Sequence, residues 1–284
     1  MNIWILKKVL VIGASGFVGS YIYRKLSQDK NLKIIGTYCN SFHKDLIKID
    51  YLNDSFTKDI IKLNPDIIIW LAGEKNLTET EIDFNNTKSL ICNPILSFAT
   101  NNKLNSKAKF IYLSSDYVFD GEKGDYSVED KTEPVSFYGK AKLISERYIT
   151  NNILDYHIIR AGAIIGKDST FCKWLLNTIK KENQVELFDN FFSPTPIENI
   201  FNLIKDLIYQ KSNDKLIHVS GYKKVSRFEL GVHLAKIMNS KIKIRKKDYR
   251  ESKLKLFKDL SLTNSYDSKK NIDLIRSIEN LVVW

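Results

Sequence analysis

Hydrophobic positions fall in short runs along the first half of this chain and in helical spacing along the second. "KKVLVIGASGFVGSYIYRKLSQD" opens with an apolar, β-rich run, turns through glycines, and continues as a helical pattern. "LKIIGTY", "DIIIWLAG", "KFIYLSS" and "YHIIRAGAIIG" are further apolar runs of strand length. Helical stretches near 56–63, 86–103 and 138–151 lie between them. Buried strands alternating with helices predict an α/β fold, a Rossmann-type doubly wound parallel sheet with helices on both faces. After about Gly166 the pattern loosens. "TFCKWLLNTIKKE" and "RFELGVHLAKIMN" read as amphipathic helices, and "SPTPIENIFNLIKDLIYQ" carries two prolines just ahead of a helix. These belong to a smaller C-terminal lobe.

Composition narrows the classes. The 284 residues are 43% hydrophobic and 27% charged, ordinary for a globular protein. The net charge is +11, but the lysines are scattered and form no arm or stripe. That argues against a nucleic-acid partner and suits a phosphorylated ligand equally well. Cys39, Cys92 and Cys172 are odd in number and lack metal-type spacing, so neither a disulfide framework nor a metal site is expected. Lys7 and Lys8 interrupt the apolar N-terminus, and no run approaches the length of a membrane span. The expectation is a reduced, cytoplasmic protein without a membrane partner. His157 and His218 lie in strand patterns and read as core residues.

"GASGFVG" places Gly13, Gly16 and Gly19 directly after a strand and at the opening of a helix. One glycine permits the tight turn, one admits a pyrophosphate close to backbone, and one lets helix and sheet pack closely. Unpaired N–H groups and the helix dipole then meet the phosphate. With Ser15, Phe17 and Val18 this turn predicts a dinucleotide site. Leu71, Ala72 and Gly73, after the middle strand, are counted with it. The acid expected some 20 residues on, for a ribose hydroxyl, is missing from "GTYCNSFHK". Lys44 could meet a 2′-phosphate there, which favours NADPH while NADH stays open. Asp50 and Tyr51 are placed for the adenine edge, although Asp50 could equally be a solvated loop acid.

In "FYGKAK", Tyr138 and Lys142 are four residues apart, one turn of a helix. Ketone reduction needs a hydride source and an acid against the developing alkoxide. A phenol with pKa near 10 is sluggish unless a neighbouring cation lowers it, and Lys142 is spaced to do so.

The glycine turn, "IYLSSDYVFDG" and "YGKAK" together resemble an extended short-chain dehydrogenase/reductase, most similar to the dTDP-4-dehydrorhamnose reductase group of nucleotide-sugar 4-ketoreductases. "IIRAGAIIG", "SPTPIENI" and "HVSGYKKVSRFEL" extend the likeness over most of the chain. The resemblance implies that Tyr138 protonates the carbonyl oxygen and that Lys142 lowers the phenol's pKa and binds the nicotinamide ribose. It implies that Ser115 holds the substrate oxygen and that Asn93, at the start of a helix, supports the site. Asp116, Tyr117, Phe119, Arg160 and Ala163 would meet the nucleotide-diphosphate sugar, with packing of the loop as the plain alternative for Tyr117 and Phe119. Residues 1–165 would form the dinucleotide-binding domain and 166–284 mainly the substrate lobe, with about 195–218 returning to the first.

The implied activity is NAD(P)H-dependent reduction of a 4-keto(-6-deoxy) nucleotide sugar in deoxysugar and surface-glycan synthesis. Ser115 is followed by Asp116 and Tyr117, not by the Asp-Glu pair of related dehydratases. A nucleotide-sugar epimerase of the same fold and a non-catalytic, dinucleotide-binding regulatory subunit are the alternatives; a homodimer is left open. Two segments depart from the group: Ala163 replaces its usual tryptophan, and "LAGEKN" replaces its "AAYT" turn. Both bear on which sugar fits.

Overall fold

The computed structural model describes residues 6–53, 55–74, 76–101, 108–221, 223–252, 256–266, 271–273, 276–277 and 279–280. The strands are β1 (Lys7–Ile12), β2 (Leu32–Tyr38), β3 (Ile47–Lys48), β4 (Ile67–Trp70), β5 (Lys109–Ser115), β6 (Tyr156–Ala161), β7 (Ile164–Ile165), β8 (Gln184–Phe188), β9 (Phe191–Phe192), β10 (Thr195–Pro196), β11 (Leu216–Val219), β12 (Val225–Ser226) and β13 (Lys243–Lys247). The helices are α1 (Phe17–Leu26), α2 (Phe56–Leu63), α3 (Leu77–Thr80), α4 (Phe84–Ala99), α5 (Phe137–Asn152), α6 (Thr170–Lys181), α7 (Ile197–Ile208) and α8 (Arg227–Ile237).

Seven strands form one sheet in the order β11-β6-β5-β4-β1-β2-β3. β1 pairs in parallel with β2 and with β4, β4 with β5, and β2 with β3. The order reverses at β1, as the alternation of apolar runs and helices predicts for a doubly wound sheet. The apolar runs "LKIIGTY" and "KFIYLSS" are β2 and β5, residue for residue.

The chain divides into two compact units. One comprises Met1–Val118, Pro134–Ile159 and Ile204–Ile217; the other comprises Phe119–Glu133, Arg160–Leu203 and His218–Trp284. In the first, Trp70 is the hub of the core, with ring centroids of Phe56, Phe98 and Phe110 at 6.0, 6.1 and 6.2 Å. Phe98 and Phe110 stack at 4.6 Å. The four β-branched or aromatic positions of β4 are all buried, which a strand covered on both faces requires.

The second unit has its own core of Ile165, Cys172, Leu175, Ile179, Leu187, Phe192, Leu230 and Leu234. β8 and β13 pair in parallel there. Helix α8 starts on a reciprocal cap, in which Ser226 accepts from Glu229 N–H and the Glu229 carboxylate accepts from Ser226 N–H. Tyr126 and Leu262 bridge the early and late segments of this unit.

Two local arrangements fix the position of α5. The helix begins at Ser136, whose hydroxyl accepts from Gly139 N–H at 3.0 Å. It packs on α4 through Cys92, whose thiol donates to the Ala141 carbonyl at 3.2 Å, and through Ser145, bonded to the Ile91 and Ala141 carbonyls. Small residues at the crossing, Ala141 and Ser145, let the two backbones approach.

Phe110→Ala is expected to destabilise the protein by about 3–5 kcal/mol, the usual cost of emptying a buried aromatic site. Urea denaturation measures it. A loss below about 1 kcal/mol would show that the Trp70 cluster does not organise this core.

Candidate active site

The glycine turn has the geometry that each of its glycines predicts. Gly13 has φ +85°, a left-handed conformation that side chains disfavour. A Cβ on Gly19 would lie 2.0 Å from the Gly13 carbonyl oxygen, so only glycine allows α1 to sit this close to the end of β1. Gly16 is the N-cap of α1, with no side-chain cap and no acidic residue in the first turn. The leading N–H groups of the helix therefore keep their capacity for an anion. A Cβ at Gly16 would find only the Gly13 oxygen, at 3.4 Å. Space, donors and dipole together fit a dinucleotide pyrophosphate. Ser15 is exposed, and Phe17 and Val18 are half-buried in the first turn of α1. Leu71, Ala72 and Gly73 follow β4, and Leu71 N–H donates to the Ile12 carbonyl, which joins them to the end of β1.

Beyond β2 the loop is open. Lys44 and Asp50 are exposed, and the Asp50 carboxylate accepts from Leu52 N–H and from the Cys39 thiol. Tyr51 leans into the core instead, its ring 5.9 Å from Trp70, and burial pushes its phenol up to about 12.

Ser115, Tyr138 and Lys142 come together in the first unit. Ser115 ends β5 and Tyr138 and Lys142 lie on one face of α5. Lys142 is only 6% exposed. Its ammonium donates to the Leu113 carbonyl of β5 at 3.0 Å and stands over two rings, 4.8 Å from the Tyr112 centroid and 5.8 Å from that of Tyr138. A Cβ at Gly73 would lie 3.9 Å from Nζ, so the segment after β4 also borders it. Tyr138 is half-buried, set edge-on to Tyr117 at 5.6 Å, and its N–H donates to the exposed Glu81 carboxylate at 3.1 Å. Gly139 brings α5 onto the turn after β5, because a Cβ there would lie 2.0 Å from the Tyr117 carbonyl oxygen. The Ser115 hydroxyl donates to the buried Asp116 carboxylate at 2.8 Å and accepts from Tyr117 N–H at 3.2 Å.

Burial dominates the electrostatics of Tyr138 and Lys142. Burial raises the Tyr138 phenol well above its ordinary range, and the charges of Asp116 and Tyr117 raise it further; a hydrogen bond with Ser115 opposes them. The same burial pulls Lys142 down to about 8, against the carboxylate of Glu146 and the Cys92 thiol, which raise it. Desolvation disfavours whichever form is charged, so a phenol and an ammonium in one dry place shift in opposite directions. In this state the cation does not make a tyrosinate. Tyr138 is a neutral phenol, a proton donor.

Asn93 departs from its expected place. It lies in the second half of α4, not at its start, and is exposed. The helix begins at Phe84, capped by Asp83, because Asp83 accepts from Asn85 N–H at 2.9 Å. Pro94, which suggests a helix opening, is tolerated inside the helix and buried.

Phe119, Arg160 and Ala163 belong to the second unit. Phe119 is fully buried, stacked on Tyr126 at 4.3 Å and 5.7 Å from the His218 ring, with the Arg160 guanidinium 5.3 Å from its centroid. Its role there is packing. Arg160 is buried and Ala163 half-buried. His157 is a satisfied core residue, with Nδ1 donating to the Asp214 carbonyl at 2.7 Å and Nε2 3.2 Å from the Lys109 ammonium. His218 gives Nδ1–H to the Tyr126 carbonyl at 3.1 Å, and burial with Arg160 pulls it down to about 4. The three cysteines are free, with Cys92 and Cys172 buried.

Sequence reasoning missed Ser114 and Glu146. Both are buried, and the Ser114 hydroxyl donates to the Glu146 carboxylate at 2.6 Å. The signal lay in "KLISE", which puts the acid one helical turn past Lys142.

A turn of Gly13, Gly16 and Gly19 on a doubly wound sheet, with serine, tyrosine and lysine gathered at β5 and α5, defines an extended short-chain dehydrogenase/reductase. Residues 7–254 match the family described as the RmlD substrate binding domain, and the chain belongs to that family. It is similar to methionine adenosyltransferase 2 subunit beta of Rattus norvegicus, 23% identical over 251 residues, covering 82% of this chain and 72% of that one. It is also similar to dTDP-4-dehydrorhamnose reductase of Shigella flexneri, 27% identical over 199 residues, covering 67% and 63%. Among solved structures, dTDP-4-dehydrorhamnose reductase of Bacillus anthracis in complex with NADP superposes with a TM-score of 0.82. That pair is 22% identical, with 92% of each chain covered.

Tyr138 is expected to show no tyrosinate below pH about 10, its ordinary titration range. Asp116→Asn, by removing a negative charge, is expected to bring its titration down. Ultraviolet difference titration against Tyr138→Phe measures both. A Tyr138 that ionises near neutrality would overturn the reading of this site as a buried acid.

Proposed function

We propose that this chain is a cytoplasmic, NADPH-dependent reductase of a 4-keto-6-deoxy nucleotide sugar, working in deoxysugar synthesis for a surface glycan. The observation that carries the reading is the meeting of Ser115, Tyr138 and Lys142 in one cluster on the unit that also holds the Gly13 turn. A protein that only bound a dinucleotide would need the turn and not the cluster. The similarity to a dTDP-4-dehydrorhamnose reductase supports the substrate class.

When bound, the dinucleotide supplies the hydride. Gly13, Ser15, Gly16 and the first turn of α1 would hold its pyrophosphate, and Lys142 would hydrogen-bond its ribose. Tyr138, kept neutral by burial, gives its proton to the keto oxygen as charge develops there. Ser115 turns its hydroxyl hydrogen from Asp116 toward the same oxygen. Once the proton has left, the phenolate faces an ammonium 5.8 Å from its ring, which stabilises the new charge. Lys142 titrates near pH 8, so most of it is charged at neutral pH. Asp116 and Tyr117 would contact the sugar. Ala163, where the group usually carries tryptophan, leaves room for a larger or differently configured ring.

A second reading has one observation in its favour: the similarity to a protein named as a subunit of methionine adenosyltransferase, across 82% of this chain. There the dinucleotide would be structural.

NADPH oxidation followed by absorbance, with a panel of 4-keto-6-deoxy nucleotide sugars, separates the two. Turnover of one of them is the expected result. NADPH binding with silence across the panel would move the assignment to the subunit reading. In the active enzyme, Tyr138→Phe is expected to lower kcat by about two to four orders of magnitude while leaving NADPH affinity nearly unchanged. Full activity in that variant would sink the assignment.

A further inference from the structure

Lys142 presents a physical problem. An ammonium almost wholly removed from water loses several kcal/mol of hydration, and burial moves it toward its neutral form. The groups around it among the described residues are few. From β5 come the Leu113 carbonyl and the Tyr112 ring. From α4 comes Cys92, whose thiol is raised to about 11 by burial and so carries no charge at neutral pH. From the segment after β4 comes the backbone of Gly73. Asp116, on the turn after β5, acts on Tyr138. From α5 itself come Tyr138, a neutral phenol, and one carboxylate, Glu146. Of the two groups that favour its charged form, Glu146 contributes more than Cys92.

Glu146 is 4% exposed and follows Lys142 by one turn on the same helix. Its Oε1 accepts from the Ser114 hydroxyl at 2.6 Å. Ser114 is itself buried on β5, between Leu113, which holds the Lys142 ammonium, and Ser115. The bond fixes the carboxylate against the strand that carries the site. Glu146 and Lys142 lie one turn apart on the same helix, and in a dry interior a charge reaches further than in water.

We infer that the buried Ser114–Glu146 pair is the counter-charge that keeps Lys142 an ammonium, which makes Glu146 a positioning residue for the reduction. The inference rests on the reductase reading for its effect on turnover, and on the chain's own residues for the pairing. The direction follows from the charges. Lys142 titrates near 8 with Glu146 raising it, so removal of the carboxylate moves that titration to lower pH and leaves less ammonium at neutrality.

The test has two readouts. The first is the pH profile of kcat/KM for NADPH-dependent reduction. Glu146→Gln is expected to move the alkaline limb down by about 1 pH unit or more, the usual effect of a nearby opposite charge. Ser114→Ala moves it in the same direction by less, and Glu146→Asp restores it toward the parent. A structural role alone would lower activity without displacing the limb. The second is the titration of Lys142 itself, by NMR of lysine labelled at the ε-carbon and assigned with Lys142→Met. It is expected to fall in Glu146→Gln by the same shift.

A Lys142 titration unchanged in Glu146→Gln overturns the inference. Should Glu146→Gln not fold, Ser114→Ala and Glu146→Asp carry the comparison, and no shift in the former overturns it equally. Should the parent reduce no keto sugar, the reductase reading falls, while the NMR titration still decides the pairing.

Discussion

The whole site hangs on one buried ammonium. Lys142 is 6% exposed on α5, and nearly everything around it serves to keep it there. The Leu113 carbonyl replaces one water, and the faces of Tyr112 and Tyr138 replace part of the rest. That arrangement works only if α5 lies hard against the end of β5. Gly139 provides the clearance, Ser136 fixes where the helix starts, and the crossing with α4 at Ala141 holds its other side. Those packing features look remote from chemistry when taken singly. Together they set the height of Nζ above the strand.

Dryness has opposite effects on the two titrating groups. It raises the phenol and lowers the ammonium, so each is moved toward its neutral form. On the proposed mechanism the phenol is neutral before reaction, and the ammonium matters most after the proton has gone. Stabilising a charge that exists only late in the reaction is the more effective use of a buried cation, because the ground state gains nothing from it.

Much of this was legible in the sequence, and the limits have physical causes. β2 and β5 could be read residue for residue because strands covered on both faces are continuous apolar runs with polar ends. Gly13 and Gly19 were legible because only their backbone positions demand glycine. Asn93 was misplaced because Pro94 after it resembles a helix opening, whereas the actual cap is Asp83, ten residues earlier. Phe119 suggested a pocket wall, yet it is buried against the nearby Tyr126 and against His218, which is distant in sequence. Glu146 went unseen because its partner Ser114 is thirty-two residues away; only its spacing from Lys142 was visible locally.

The division of labour along the chain follows from these constraints. The proposed catalytic groups, Ser115, Tyr138 and Lys142, lie in the unit built on the large sheet, which also carries the Gly13 turn. Their geometry is tied to core packing: moving α5 by a fraction of an ångström would strand a buried charge. Arg160 and Ala163 lie in the other unit, which has a core of its own. Side chains there can change size without disturbing the buried ammonium. Under the proposed function, a fold arranged this way keeps one chemistry while the ring it accepts varies, and Ala163 would be a change of that second kind.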